Sequence, residues 1–405
     1  MNIWLFASIV TGFALTYLVI PPIVRISNVK QLFDVPNDRK LNKVMVPTLG
    51  GVAIFIGLLL TSMVLMRNDN PDSGIRYLFA GVIIMFFVGL KDDLVVLSAR
   101  KKLVIQVITT LILVVLGHFR ITNYYGLFSL DQLSNWFSIP LSVLVILFLM
   151  NAMNLIDGID GLAAGISLLF STVLGIWFCL CGQINYAIPC LALSGSLIAF
   201  LRFNLWGGKN KIFMGDTGSL VLGIFVSAMA IKFNEVNAAA PAGFQFAQAP
   251  LIAMALLIIP ITDTLRVFTI RIWHKRSPFA PDMNHFHHLL IKSGLSHIQA
   301  SCFLIAYTTS FVVFALAFSH FQVNITAGFI LLLALSFSTV GLIYLRSRRI
   351  TLAKMIMENK RLQVKIIRLQ TSSSLDKILT SVSDDKEKPY YHPLKKRTII
   401  QMNNE

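Results

Sequence analysis

Two aspartates followed by glycines stand at the end of a long apolar run in this sequence. The stretch NLIDGIDGLAAG (154–165) carries Asp157 and Asp160. A carboxylate at the centre of a membrane helix costs roughly 2.5–3.5 kcal/mol to insert. Residues three apart share a face of a helix, and glycines allow a tight turn, so the two carboxylates converge in either conformation. Such a pair indicates a functional site rather than an ordinary helix end.

Further aspartates stand at the ends of other apolar runs. Asp92 and Asp93 close one run in GLKDDLVVLS, and Asp216 opens another in FMGDTGSLVLG. Asp263 lies within the apolar stretch PITDTLRVF. Each motif also has an ordinary explanation, because adjacent acids can end a solvated helix, Asp216 can cap a helix, and Asp263 can pair with the arginine three residues later. A role in binding a divalent cation is the sharper hypothesis for Asp216.

A histidine cluster and a glycine–lysine loop supply groups that suit phosphate. The stretch APDMNHFHHLLIKSG (280–294) contains His285, His287 and His288, and FNLWGGKNKIFMGD (203–216) joins Asn204 to Asp216. The histidine spacing fits no familiar zinc ligand set. Imidazole N–H groups can donate hydrogen bonds to phosphate oxygens. The ordinary alternative for the histidine stretch is a solvated polar loop. For the glycine–lysine stretch it is a cytoplasmic loop that carries basic residues only to set the membrane orientation.

The elements that must position these residues are membrane helices. Of the 405 residues, 56% are hydrophobic and 13% are charged, and the mean hydropathy is +0.72. A soluble protein carries about 25% charged residues. We therefore expect an all-α polytopic membrane protein with about eleven transmembrane helices. The predicted spans are 2–24, 48–66, 75–90, 103–118, 138–156, 162–182, 186–203, 217–233, 250–272, 298–318 and 324–345.

The distribution of Lys and Arg predicts the orientation of these helices. One set of loops holds fourteen basic residues and the opposite set holds four, so the first set is expected in the cytoplasm. The N-terminus is then outside and the C-terminus inside. Nine of the thirteen acidic residues before position 346 fall on the cytoplasmic side, which predicts a catalytic cleft there. The net charge of +16 follows from the same pattern, so no nucleic-acid partner is expected.

The chain divides into a transmembrane domain, 1–345, and a basic tail, 346–405. The tail starts with RSRRI, and its apolar residues then recur at near-helical spacing among Lys and Arg. This pattern is typical of a helix on anionic lipid, and a regulatory or partner-binding helix is the alternative. Disorder is expected beyond Ser372.

Aspartates, histidines and basic loops on one face indicate metal-dependent phosphoryl chemistry at the membrane surface. Mg²⁺ is usually held by one or two carboxylates together with substrate phosphates. Further carboxylates can orient or deprotonate an attacking group. These residues alone do not identify the substrates.

The motifs KDDL, NAMNLIDGIDGLAAG, FMGDTGS, PITDT and HFHH, in this order, resemble those of the polyprenyl-phosphate N-acetylhexosamine-1-phosphate transferases. The resemblance covers roughly residues 1–345, and it is closer to the GlcNAc-1-phosphate branch than to the phospho-MurNAc-pentapeptide transferases. It implies transfer of a sugar 1-phosphate from a UDP-N-acetylhexosamine, commonly UDP-GlcNAc, to undecaprenyl phosphate, with release of UMP. This is the first membrane step of a cell-surface polysaccharide such as lipopolysaccharide or teichoic acid. The implied setting is the bacterial inner membrane, with membrane lipid and a second copy of the chain in a homodimer as partners.

The resemblance also implies roles for the individual residues. Asp216 and Asp263 would bind Mg²⁺, with Mn²⁺ as an alternative. Asp92, Asp93 and Asp157 would be catalytic. The implied substrate-binding residues are Asn154, Asp160, Asn204, Lys43, His285, His287 and His288. The chain has Asn42 where the family pattern has histidine, and Lys40 or Lys43 is expected to replace that residue unless substrate handling differs.

Two mechanisms and two rival functions remain open from the sequence. The lipid phosphate attacks the β-phosphate directly, with Asp157 or one of the adjacent aspartates as base, or the reaction passes through an aspartyl-phosphate. Phospho-MurNAc-pentapeptide transfer is the rival within the family. A secondary transporter is the rival from another class, although transporters place ionisable residues near the membrane midplane rather than at one face.

Overall fold

The computed structural model describes most of the transmembrane domain and part of the tail. The described residues are 2–34, 46–66, 73–127, 132–275, 277, 285–319, 321–335, 350–351, 354–364 and 367. Lys43, predicted to bind substrate, lies outside them, as do Lys40 and Asn42.

Helices make up nearly all of the described structure. The first five helices are α1 (Asn2–Lys30), α2 (Gly50–Leu65), α3 (Ser73–Leu94), α4 (Ala99–Leu111) and α5 (Asn135–Ile156). Helix α4 continues as a π-helical turn (Ile112–Leu116). Those that follow are α6 (Leu162–Leu180), α7 (Ile184–Trp206), α8 (Gly215–Ala238), α9 (Ala249–Leu256), α10 (Ile258–Trp273), α11 (Phe286–Lys292), α12 (His297–Ala317) and α13 (Val323–Leu335). Two short strands, β1 (Phe33–Asp34) and β2 (Val46–Pro47), pair antiparallel.

The all-α polytopic fold expected from composition is confirmed. Among the described residues, seven helices are long and apolar enough to cross a membrane, namely α1, α3, α5, α6, α7, α8 and α12. The bent pair α9–α10 makes an eighth, and α2 and α13 are shorter apolar helices. The protein is therefore a multi-pass membrane protein, while the count of eleven spans and their orientation stay predictions.

The single helix predicted over 250–272 is wrong, because the chain breaks at Leu257. Helices α9 and α10 meet there at an angle of 74°. Pro260 has no N–H to donate to the carbonyl of Leu256, and its ring crowds that carbonyl. The helix therefore ends at Leu256 and a new one begins at Ile258, which gives Asp263 a helix of its own.

Helix α8 lies at the centre of the bundle. It packs against α2, α3 and α5, and most of its residues are buried. Side-chain contacts bring the ends of α3, α5 and α7 together with the starts of α4, α6, α8 and α12. We call this end of the bundle the aspartate end, because Asp92, Asp93, Asp157, Asp160 and Asp216 all lie there.

Candidate active site

The start of α8 is fixed by an extended segment that precedes α2. The Phe213 N–H donates to the carbonyl of Pro47 at 2.8 Å, and the Gly50 N–H donates back to the carbonyl of Phe213 at 2.9 Å. Gly51 continues this ladder to Met214 at 2.8 Å. A Cβ at Gly51 would lie 2.0 Å from the backbone nitrogen of Gly218, so only glycine permits this approach. Backbone contacts thus position the segment that carries Asp216.

Asp93 caps α8 from the neighbouring helix. Its Oδ1 accepts from the Asp216 N–H at 2.8 Å, and its Oδ2 accepts from the N–H and hydroxyl of Thr217 at 2.9 and 2.5 Å. Gly89 allows the two helices to touch, since a Cβ there would lie 2.5 Å from the Thr217 Cα. Carboxylates stabilise the positive start of a helix. Both oxygens of Asp93 are therefore engaged in holding Asp216 in place.

Asp92, the other half of the pair, belongs to a charged network with Asp216. Lys102 Nζ lies 2.9 Å from Asp92 Oδ2 and 2.9 Å from Asp216 Oδ1. Asn154 Nδ2 donates to the same Asp216 oxygen at 2.6 Å and to Ser219 Oγ at 2.7 Å. Among the described residues, none donates a hydrogen bond to Asp216 Oδ2. One oxygen of Asp216 is thus fixed and the other is open.

Asp157 is a carboxylate without a hydrogen-bond donor among the residues that the structure describes. It follows Ile156, the last residue of α5, and occupies the C-cap position. Burial, together with the negative charges of Asp216, Asp93 and Asp160, raises the pKa of Asp157 well above its usual value. A carboxyl in this state suits a proton acceptor, or a ligand for a cation that would offset the repulsion.

Asp160, three residues later, is held from two sides. Lys211 Nζ lies 2.7 Å from its Oδ2, and His297 Nδ1 lies 3.4 Å from the same oxygen. Ser301 donates to its backbone carbonyl at 2.7 Å. Although burial acts in the opposite direction, the contacts with His297 and Lys211 leave the pKa of Asp160 below its usual value. Asp160 is therefore ionised at neutral pH.

Asp263 orients the histidine cluster. Its Oδ2 lies 2.9 Å from His285 Nδ1, and its Oδ1 accepts from the Phe286 N–H at 2.9 Å and from Arg266 at 3.0 Å. Asp263, Arg266 and His285 are all buried. The ion pair with Arg266 is one of three contacts rather than a private pair. The metal-binding role of Asp263 stays a prediction, and both of its oxygens already have protein donors.

His287 connects the histidine cluster to the Asp157–Asp160 turn. A Cβ at Gly158 would lie 2.2 Å from His287 Nε2, so the ring packs directly on this glycine. Burial and the neighbouring His288 lower the pKa of His287 to about 3. His287 is therefore neutral at physiological pH. The rings of His287 and His288 lie 4.4 Å apart, and the ring of His285 lies 5.8 Å from that of His287.

Asn204 is buried at the end of α7 and supports the loop before α8. Its Nδ2 donates to the carbonyl of Ile212 at 3.0 Å. Its Oδ1 is buried and has no hydrogen-bond partner among the described residues. The amide thus has a structural contact and one unused acceptor, and its predicted role in substrate binding stays a prediction.

The residues present fit a divalent cation that is shared with a substrate. Within the described part of the chain, no three His, Cys, Asp or Glu side chains form a metal site by themselves. Mg²⁺ needs only one or two protein carboxylates when phosphates and water complete its shell. Asp216 offers one open oxygen, the Asp157 carboxyl has no donor, and Lys102 already places a positive charge between two carboxylates.

Sequence reasoning missed several residues of this site. It counted Lys102 only toward the positive-inside pattern and read Lys211 only as part of a loop suited to phosphate. His297 and Ser301 carried no recognisable signal, because they contact Asp160 from α12, far away in the chain. The packing of His287 on Gly158 likewise carried no local signal.

Comparison with known proteins identifies relatives of this chain. The model of glycosyl transferase family 4 matches residues 75–234, a region that includes Asp92, Asp157 and Asp216. A Bacillus subtilis (strain 168) protein named as a probable undecaprenyl-phosphate N-acetylglucosaminyl 1-phosphate transferase is 33% identical over 302 residues, which are 74% of this chain and 80% of the relative. The undecaprenyl-phosphate alpha-N-acetylglucosaminyl 1-phosphate transferases of Escherichia coli O157:H7 and Yersinia pestis are 28% and 27% identical over 272 residues. These alignments cover 66% of this chain and 71% and 72% of the relatives.

Proposed function

Because the chain belongs to glycosyl transferase family 4, we propose that it transfers N-acetylglucosamine 1-phosphate from UDP-GlcNAc to undecaprenyl phosphate and releases UMP. The observation that carries this proposal is the contact of Asp216 with Lys102 at the aspartate end, with the buried Asp157 carboxyl close enough to interact with the charge of Asp216. Two incompletely bonded carboxylates beside an ammonium group suit a diphosphate that arrives with a divalent cation. The names of the relatives favour this reaction over pentapeptide transfer and over transport.

Asp216 is the residue proposed to hold Mg²⁺, with Mn²⁺ as an alternative. When bound, the metal supplies positive charge to the diphosphate and to the departing UMP. Asp93 fixes the backbone of Asp216, and Asn154 fixes its Oδ1, so the open Oδ2 has a defined direction. Asp263 would act through His285, whose Nδ1 it engages.

Lys102 is proposed to pair with the diphosphate of the nucleotide sugar. Its ammonium lies within hydrogen-bonding distance of Asp92 and Asp216. Because an ammonium carries three N–H donors and two of them face the carboxylates, the third is available to a phosphate oxygen. Asp92 would then position Lys102, while the Leu97 N–H holds Asp92 at 2.7 Å.

Asp157 is proposed to orient the lipid phosphate and to accept its remaining proton. An oxygen of the lipid phosphate forms a bond to the β-phosphorus, and the bond from that phosphorus to the oxygen of UMP breaks. The raised pKa of Asp157 makes its carboxylate a stronger base than an ordinary aspartate, which suits proton acceptance. The alternative is attack by an aspartate with an aspartyl-phosphate intermediate. Exchange of labelled UMP into UDP-GlcNAc without lipid would support that route, and its absence would support direct attack.

UMP release by the purified protein tests the reaction. The assay contains undecaprenyl phosphate, Mg²⁺ and a panel of UDP-sugars. We expect UMP release with UDP-GlcNAc, its loss with a chelator, and its recovery on adding Mg²⁺. Solute uptake by proteoliposomes without UMP release would overturn the proposal in favour of a transporter.

The aspartate end is proposed to face the cytoplasm of the bacterial inner membrane, where UDP-sugars are available. The product would start a cell-surface polysaccharide such as lipopolysaccharide or teichoic acid. Exposed apolar residues of the tail helix, among them Met355, Ile356 and Leu362, are proposed to lie on anionic lipid beside Lys354 and Arg361. A homodimer is proposed from the family resemblance, and light scattering in detergent tests it.

A further inference from the structure

The first turn and a half of α12 contacts Asp160 at two different atoms. Ser301 Oγ donates to the Asp160 carbonyl at 2.7 Å, and His297 Nδ1 lies 3.4 Å from Asp160 Oδ2. His297 and Ser301 are four residues apart, so they project from one face of the helix. A single rigid element thus engages both the backbone and the side chain of Asp160.

The start of α12 is itself well fixed. Ser296 caps the helix by accepting from the Gln299 N–H at 3.3 Å, and Gln299 Oε1 accepts from the Ser296 N–H at 3.0 Å. This reciprocal capping box satisfies two helix-end donors. His297 is the first residue after the cap, so its backbone position is set by the box.

The contacts on Asp160 leave one carboxylate oxygen open. Lys211 Nζ lies 2.7 Å from Oδ2, and its ammonium lies 5.6 Å from the centre of the Phe213 ring. None of the described residues donates to Asp160 Oδ1. Gly161, the next residue, has φ of +81°, a conformation that fixes the turn and favours glycine. Asp160 is therefore an oriented acceptor with a single free position.

The family resemblance implies that Asp160 binds the uridine of the nucleotide sugar. We propose that His297 and Ser301 are positioning residues that hold Asp160 in place for that role. The inference rests on the proposed function and adds α12 to the substrate site. An ionised carboxylate repels phosphate oxygens but accepts hydrogen bonds from N–H and O–H groups. The uncharged nucleoside carries such donors, whereas the diphosphate belongs with Asp216 and Lys102. The nucleoside and the diphosphate of the substrate are thus directed to different groups of the site by the difference in their charge.

Substitutions on one face of α12 test this assignment. Ser301→Ala and His297→Leu remove the two contacts, while His297→Asn retains a donor near the position of Nδ1. We expect KM for UDP-GlcNAc to rise roughly fivefold to tenfold in the first two variants, since Ser301→Ala loses a hydrogen bond of about 1 kcal/mol and His297→Leu loses the polar contact with the Asp160 carboxylate. KM for undecaprenyl phosphate and kcat stay within twofold, and His297→Asn recovers most of the affinity for UDP-GlcNAc.

Ser310→Ala is the matched control on the same helix. Ser310 is exposed and bonds only within α12, to the carbonyl of Tyr307 at 2.7 Å. Lys211→Ala removes the remaining contact to the Asp160 carboxylate. Lys209→Ala is its control, because Lys209 is exposed in the same loop. Unchanged KM in Ser301→Ala and His297→Leu, or equal losses for both substrates, would overturn the positioning role.

Nucleotide binding separates this inference from the proposed reaction. UMP affinity of the detergent-purified full chain is measured by calorimetry, without lipid or transfer. If the wild type releases no UMP from any UDP-sugar but still binds UMP, the proposed reaction fails on its own. Weaker UMP binding in Ser301→Ala and His297→Leu, but not in Ser310→Ala, would support the positioning role. Equal UMP affinity in all variants, or a wild type that binds no UMP, would refute it.

Discussion

Helix α8 carries a carboxylate near each end, and the two differ in how they are bonded. Asp216 and Glu235 are nineteen positions apart, which corresponds to roughly 28 Å along a helix. Glu235 Oε1 accepts from the Thr122 N–H at 2.9 Å, and its Oε2 accepts from the Thr122 hydroxyl at 2.5 Å. Asp216 has two donors on one oxygen and none among the described residues on the other.

The polar groups around Glu235 are also hydrogen-bonded to one another. Near Glu235, Tyr125 donates to the Asn234 carbonyl at 2.6 Å, while Asn237 donates to Tyr125 and to the Phe246 carbonyl at 3.1 and 2.8 Å. These bonds lock the loop before α5 and the segment before α9 onto α8. At the aspartate end, several carboxylates lie together and Asp157 has no donor. A closed network stabilises the fold, whereas an open one retains the capacity to bind a ligand.

The largest expected effect comes from Asp216→Asn. We expect transfer to fall at least about a thousandfold, because loss of metal charge removes several kcal/mol of stabilisation from the transition state. UMP release and thermal unfolding are measured on the same preparation. A variant with near-normal UMP release would exclude Asp216 from the metal site.

Asp157→Asn is expected to lower activity about a hundredfold or more while making the ligand-free protein more stable. The raised pKa means that the folded state binds a proton more tightly than the unfolded state does. This stabilisation is full below the ordinary pKa of aspartate and is lost as pH rises through the raised value. Melting curves without nucleotide or metal should therefore show wild-type stability falling above about pH 4 more steeply than that of the variant. Parallel curves for the two proteins would contradict this.

Lys102→Met is expected to reduce kcat/KM for UDP-GlcNAc about tenfold to a hundredfold, since a charge-assisted contact with phosphate is worth about 1.5–3 kcal/mol. The adjacent Lys101→Met serves as control, because Lys101 is exposed while Lys102 bridges two aspartates. Equal activity in both variants would remove Lys102 from the site.

Glu235→Gln should have the smallest effect on activity and a clear effect on stability. One of the two Thr122 bonds loses its acceptor oxygen and the other loses the charge on its acceptor, which costs about 1–3 kcal/mol of folding free energy. UMP release at a temperature well below unfolding should stay within twofold of the wild type. A large loss of activity with normal stability would mean that the two ends of α8 are coupled.

The sequence predicted the fold class and the convergence of the aspartates because both follow from position along apolar segments. Asp92, Asp157 and Asp216 each stand at a helix end, and alternating helices bring such ends together. The role of Asp93 could not be read in this way, since capping of α8 depends on how closely α3 approaches it. The contacts of Lys102 with Asp216 and of His297 with Asp160 arise only from the packing of helices that are distant in the chain, which no local pattern encodes. The break at Leu257 was accessible from Pro260, but the apolar run around it indicated one continuous helix.

The glycine contacts at the start of α8 have a consequence for how the site keeps its dimensions. Where Gly51 meets Gly218 and Gly89 meets Thr217, peptide groups touch without intervening side chains. Distances between these helices are then set by bond lengths and van der Waals radii, not by rotamers that fluctuate. Substitutions elsewhere in the bundle can therefore alter the lipid-facing surface and leave the spacing of the acidic groups unchanged.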